Sequence, residues 1–171
     1  MDKLPRYGHW VSLCGEINPE KLFGFVYVVY NKAHNRFYIG KKQFFSVTKK
    51  KIVGKVRRKT CIKDSDWLRY LTSSEYVKKD IEELGKDNFE FFIIETYETK
   101  SGLVYAEANL QHKFDVMQKA VDSDVRKFYN ANVAAIKFLV KEIKPVAAKR
   151  IKQLIEYKEA QHVRNSEKTV L

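Results

Sequence analysis

The sequence predicts an α/β fold: a small central sheet of about three strands, the first two an antiparallel hairpin, flanked by helices and followed by a C-terminal helical extension. Three observations predict it. Residues 23–30 (FGFVYVVY) and 89–97 (FEFFIIETY) are dense in aromatic and β-branched side chains, as buried strands are. Residues 31–35 (NKAHN) carry turn chemistry and lead into a second strand over 36–40 (RFYIG), closing a hairpin. The stretches after these strands carry helix start and stop signals.

Taken in order, residues 1–22 show no periodic signal and read as a lead-in segment. Residues 41–63 contain Gly54 and short β-prone pieces (QFFSVT, KIVGKV), which suit a long loop or a β-ribbon arm. Ser73 or Ser74 can cap a helix running to about Leu84, with Gly85 as its stop. Ser101 can cap a second helix to about Ala120, with Leu103, Leu110, Phe114 and Met117 on one face. After KFYNAN, a third helical region is expected from near Ala131 to about His162, kinked or divided at Pro145. In that region Ile136, Leu139, Val140 and Ile143 would pack on the domain, and Ile151, Leu154 and Ile155 would continue that contact or meet a partner. The expected organisation is a lead-in over 1–22, a domain over 23–132 with a basic insertion at 41–63, and a basic helical extension over 133–171.

A chain of 171 residues with 44% hydrophobic content has enough apolar material for one core, but no run long enough to cross a bilayer. The N-terminus, MDKLPRYGHW, lacks a signal-peptide core, so a cytosolic location is expected. Cys14 and Cys61 stand far apart and read as reduced thiols. The formal net charge is +12, which favours polyanions and above all nucleic acid. The distribution of that charge is sharper than its sum. From Lys41 to Lys63 there are ten Lys or Arg and no Asp or Glu. This segment is either a solvated loop or a phosphate-tracking arm, whose contacts through Lys41, Lys42, Lys49, Lys50, Lys51, Lys55, Arg57, Arg58 and Lys59 would give affinity with little sequence choice. Residues 137–168 hold nine Lys or Arg against four Glu, which leaves room for a recognition helix there.

Glu107 falls on the apolar face of the second expected helix, between Leu103 and Leu110. An inward carboxylate is costly without a partner. It either sits at the edge of the stripe and reaches water or a lysine, or it serves as a metal ligand or catalytic carboxylate. Tyr27 and Tyr38 occupy the two strands of the hairpin, either as core aromatics or as hydroxyls converging on one site. The four histidines make no metal-ligand spacing; His112 lies about 140° around a helix from Glu107.

These residues carry a resemblance. Phe25-Val26-Tyr27, then Tyr38-Ile39-Gly40 eleven positions on, then the inward Glu107 in YAEANLQ and the late pair Tyr129-Asn130, resemble the GIY-YIG nuclease family. The run YIGKK, a basic insertion, then Trp67, Tyr70, Ser73 and Ser74 is similar to phage-type members, the homing endonucleases among them. The resemblance covers residues 23–132. It implies an endonuclease that hydrolyses DNA, expected to be double-stranded, with one Mg²⁺ (or Mn²⁺), and a phage protein acting in the cytoplasm of a bacterial host. It implies no oligomeric state. It further implies that Tyr27 and Tyr38 are the family tyrosines, Glu107 the metal ligand and Asn130 the late asparagine, with Asn132 as fallback. Tyr27 is the favoured general base. The chain departs from the family at the phosphate-binding arginine. Arg69 in DWLRY is the first choice, with Arg58 and Lys42 as alternatives. That departure keeps open a non-catalytic nucleic-acid-binding protein on a degenerate nuclease fold; an RNA-binding protein is a third reading, without a visible RNA-binding module.

Overall fold

A computed structural model describes residues 4–51, 56, 59–118, 126–137, 139–140 and 142–169. Its strands are β1 (Arg6–Tyr7), β2 (Trp10–Ser12), β3 (Gly24–Asn31), β4 (Arg36–Gln43), β5 (Phe45–Lys50), β6 (Lys59–Asp64) and β7 (Phe89–Tyr97). Its helices are α1 (Glu75–Leu84), α2 (Lys100–Lys113) and α3 (Val146–Thr169). The main sheet has the order β1-β2-β7-β3-β4, and β5 and β6 form a separate two-stranded ribbon. The expected α/β class holds, but the sheet has five strands rather than about three.

β7 is the central strand, and β3 lies between it and the edge strand β4, buried along its whole length. β3 runs antiparallel to both. Its register with β7 slips after Val26, which faces Glu95, so that Tyr27 faces Ile93. The two extra strands come from residues 6–12. β2 pairs parallel with β7, and β1 pairs antiparallel with β2. Trp10 anchors them: it is fully buried, its indole Nε1 donates to the Trp67 carbonyl at 2.8 Å, and its ring packs edge-on against Phe25 and Tyr27.

The sheet separates two cores. On one face Val26, Val28, Ile39 and Ile94 meet Leu103, Ala106 and Leu110 of α2 and Ala147, Ile151, Leu154 and Ile155 of α3. On the other, Phe25, Tyr27, Val29 and Tyr38 meet Trp67, Phe44 and Val77 of α1. α1 follows its capping signals: the Ser74 side chain accepts from the Val77 N–H, and Gly85 ends the helix at φ +82°.

Two helix expectations need correction. α2 starts from Thr99, whose hydroxyl accepts from the Gly102 N–H, and ends at Lys113; Met117 lies beyond it and is exposed. The third helix begins at Val146, just after Pro145, not near Ala131. The described residues between 131 and 144 form no helix because this stretch is used as a strap. Glu142 accepts from the Glu98 and Thr99 N–H groups and from the Thr99 hydroxyl, while Lys144 Nζ donates to the Thr96 carbonyl. A carboxylate there also opposes the positive end of α2. Leu139 and Ile143 are exposed rather than packed. α3 is tied to β7 by ion pairs, Arg150 with Glu95 and Lys158 with Glu90, so part of its basic charge faces the sheet.

Candidate active site

β4 is an edge strand, and its free edge is covered by side chains and by a second short strap, residues 126–132, rather than by another named strand. Phe37 N–H donates to the Lys127 carbonyl, and Tyr129 N–H donates to the Phe37 carbonyl. One step on, Asn130 substitutes for backbone: its Oδ1 accepts from the Ile39 N–H at 3.1 Å and its Nδ2 donates to the Ile39 carbonyl at 2.8 Å. Gln111 Nε2 donates to the same carbonyl at 3.0 Å. Both amides are buried, so these bonds are shielded from water.

Three further contacts hold the strap. The Arg126 guanidinium donates to the carbonyls of Asn130 and Val116. The Tyr129 hydroxyl donates to Asp80 Oδ2 of α1 at 2.5 Å and accepts from Asn31 Nδ2 at 2.7 Å. The Arg36 guanidinium lies 3.8 Å over the Tyr129 ring.

A cavity of about 420 Å³ opens over this edge. It is lined by Tyr38 and Lys41 of β4, the first turn of α1, Glu107 and Gln111 of α2, and Asn130 with Asn132 from the strap. Residues alternate along β4, so Tyr38 belongs to the Trp10 side of the sheet and Ile39 to the α2 side. The edge position lets one cavity collect groups from both.

Within it, the Tyr38 hydroxyl bonds the Ser73 hydroxyl at 2.9 Å. Burial pushes the Tyr38 phenol above its ordinary value, with the Ser73 bond opposing the shift. Glu107 is mostly buried, and Lys41 Nζ donates directly to its Oε2. That resolves the sequence question about its partner: the inward carboxylate meets a lysine.

Tyr27 lies on the same sheet face as Tyr38, their ring centroids 6.0 Å apart. It is fully buried, and its hydroxyl meets that of Tyr70 at 3.4 Å. Burial raises its phenol well above the ordinary range, so it is held neutral. Gly40 explains why two tyrosines fit: it is the register partner of Tyr27, and a Cβ there would lie 2.6 Å from Tyr27 Cζ and 2.7 Å from Tyr38 Cε1. Gly40→Ala must therefore displace both rings. It is expected to cost about 1–3 kcal/mol, read as a lower urea midpoint at unchanged slope; a cost below about 0.5 kcal/mol would contradict the packing.

The structure thus brings Tyr38, Lys41, Glu107, Asn130 and Asn132 together, with Tyr27 packed beneath. Arg69 is exposed and does not line the cavity. Lys42 points away, its Nζ 2.5 Å from Asp66 and 3.9 Å above the Tyr70 ring. Lys55, Arg57 and Arg58 lie outside the described residues. Lys50 and Lys59 are register partners across the ribbon, Lys49 is exposed on it, and Lys51 is exposed just past the end of β5. None of the four histidines lines the cavity. Sequence reasoning missed Ser73 as the partner of Tyr38, and Gln111. The latter was legible in principle, since it follows Glu107 by four positions and shares its helix face.

The donor set can be tested against a cation. Among the described residues there is no cluster of three or more His, Cys, Asp or Glu side chains. The cavity offers one inward carboxylate, Glu107, and an exposed one at its rim, Glu75, which is paired with Lys78; this does not suit an ion that needs a full protein cage. It suits Mg²⁺, which keeps most of its waters and takes one or two carboxylates. Glu107 would hold it.

Residues 10–133 match the family model described as "Putative endonuclease segE, GIY-YIG domain". No curated protein and no solved structure matches the chain.

Proposed function

The chain belongs to the GIY-YIG nuclease family, of phage type, and from that premise we propose that it cuts double-stranded DNA, using one divalent ion at the free edge of β4, in the manner of phage homing endonucleases acting in a host cytoplasm. Membership implies an endonuclease acting on phosphodiester bonds and DNA as its partner; the family generally uses divalent metal ions. The observation that carries the finer reading is the convergence of Tyr38, Lys41, Glu107 and Asn130 on one cavity.

Phosphodiester hydrolysis needs an activated water, neutralised phosphate charge and a stabilised leaving oxygen. A bound Mg²⁺ (or Mn²⁺) supplies Lewis-acid polarisation of the phosphate and neutralises the leaving oxygen. Glu107 would hold the ion. Tyr38 faces the water; a phenol with an ordinary pKa of about 10 is a poor base at neutral pH, so nearby positive charge must favour its phenolate. Asn130 braces β4 at Ile39, one residue from Tyr38, and keeps that hydroxyl in place. The first turn of α1 adds backbone N–H groups at the positive end of a helix, which favours a phosphate.

The β5–β6 ribbon is proposed as the arm that lies along DNA. Two-stranded ribbons fit the major groove; Lys49 and Lys63 are exposed along this one, and Lys51 is exposed just past β5. Neutralising these three to Gln is expected to weaken binding across all sequences and to reduce the slope of log K against log salt by about 2–3. An unchanged slope would remove the ribbon from the interface.

The proposal is tested by incubating the protein with supercoiled plasmid, with Mg²⁺ and with EDTA. Nicked and linear products that require the ion are expected. Plasmid bound but never cut would favour the non-catalytic nucleic-acid-binding alternative.

A further inference from the structure

Two carboxylates line the cavity: Glu75 at its rim is exposed and paired with Lys78, whereas Glu107 is mostly buried and is bonded by the one ammonium of the lining, Lys41 Nζ on Glu107 Oε2. Lys41 thereby occupies the place on the carboxylate that a divalent cation would take. Its side chain is one-third exposed and lines the same cavity, so its ammonium has somewhere else to go. Among the described residues, neither of the other basic groups expected to bind phosphate reaches the cavity: Arg69 lies outside its lining and Lys42 is held by Asp66.

We propose that Lys41 is an exchangeable cation: it neutralises Glu107 in the resting protein, and when a divalent ion takes the carboxylate it moves to a non-bridging oxygen of the DNA phosphate in the same cavity. This rests on the nuclease reading and deepens it. A mostly buried carboxylate is never left without positive charge, and the phosphate gains its cation only when the metal site is filled. Lysine suits the task because its ammonium is a compact charge on a flexible stem, able to reach two acceptors in turn. The two events are linked, so phosphate binding and metal binding favour each other.

The test is Mn²⁺ binding to the DNA-free protein, followed by the loss of the free-ion signal in electron paramagnetic resonance. Lys41→Met removes the competing charge and is expected to bind Mn²⁺ about tenfold or more tightly than the wild type. Lys41→Arg, which keeps a cation, should stay near the wild type, and Lys41→Met with Glu107→Gln should lose the gain. At saturating Mn²⁺, Lys41→Met should still cut plasmid more slowly than the wild type, because the phosphate has lost its cation. Thermal melts confirm folding, and Lys41→Gln serves if the Met variant does not fold. Equal Mn²⁺ affinity in wild type and Lys41→Met, or no Mn²⁺ binding by the variant, would overturn the exchange. Wild-type cleavage by Lys41→Met at saturating Mn²⁺ would overturn the phosphate half. A gain that persists without the Glu107 carboxylate would instead remove Glu107 as the ligand, and with it the nuclease mechanism proposed above.

Discussion

Glu107→Gln is expected to leave a folded protein that binds DNA as before and has lost Mg²⁺-dependent cleavage by several orders of magnitude. Glutamine keeps nearly the shape of the side chain and its buried place on α2, but it lacks the charge a hard cation needs. Stability should change little. The carboxylate's partner, Lys41, is one-third exposed and can turn to water once released, so the change is expected to be about 1 kcal/mol or less. DNA affinity should change little as well, because the exposed lysines of the β5–β6 ribbon are untouched. Plasmid cleavage, thermal melting and gel-shift binding on the same preparation separate these effects. Undiminished cleavage would refute the metal role. A large drop in melting temperature would instead make Glu107 a structural partner in the core.

Tyr38→Phe and Tyr27→Phe are expected to behave differently, although both tyrosines lie in family motifs. Tyr38 lines the cavity with its hydroxyl on Ser73, and losing that hydroxyl should reduce cleavage by about 10²–10⁴. Tyr27 is fully buried, with its hydroxyl 3.4 Å from that of Tyr70, so Tyr27→Phe should retain activity within about tenfold. The pH profile offers a second reading. A base works deprotonated, and burial holds the Tyr38 phenol above its ordinary value, so its active fraction grows about tenfold per pH unit through the neutral range. Cleavage by the wild type should therefore rise with pH, and the residual cleavage of Tyr38→Phe should be flatter. The reverse ranking, with Tyr27→Phe the damaged variant, would restore Tyr27 as the base.

The parts of the fold that were legible were those whose signal is local. β3, β4 and β7 announce themselves by aromatic and β-branched runs, and α1 by Ser74 and Gly85 at its ends. β2 was not legible. Three residues carry no periodicity, and its partner β7 lies some eighty positions downstream. The strap before α3 was misread for a related reason. Ile136, Leu139, Val140 and Ile143 have helical spacing, but Glu142 and Lys144 bond the start of α2 and the end of β7, and the described residues there form no helix. In the site, Glu107 was visible as a carboxylate on an apolar helix face. Its partner Lys41, sixty-six positions away, was not, because nothing in spacing along the chain reports a contact made across a sheet edge. Asn130 was found through its motif, but its physical role, pairing with the Ile39 backbone in place of a strand, needed the fold.

Cleavage of DNA is proposed to occur in the cavity over the free edge of β4. It is tested most directly by crystallising Tyr38→Phe with a DNA duplex and Mn²⁺ and locating the ion by its anomalous scattering. One strong peak is expected within about 2.5 Å of a Glu107 carboxylate oxygen, with a backbone phosphate beside it and the Lys41 ammonium turned from Glu107 to that phosphate. A peak bound elsewhere on the protein, or a duplex whose backbone passes outside this cavity, would contradict it.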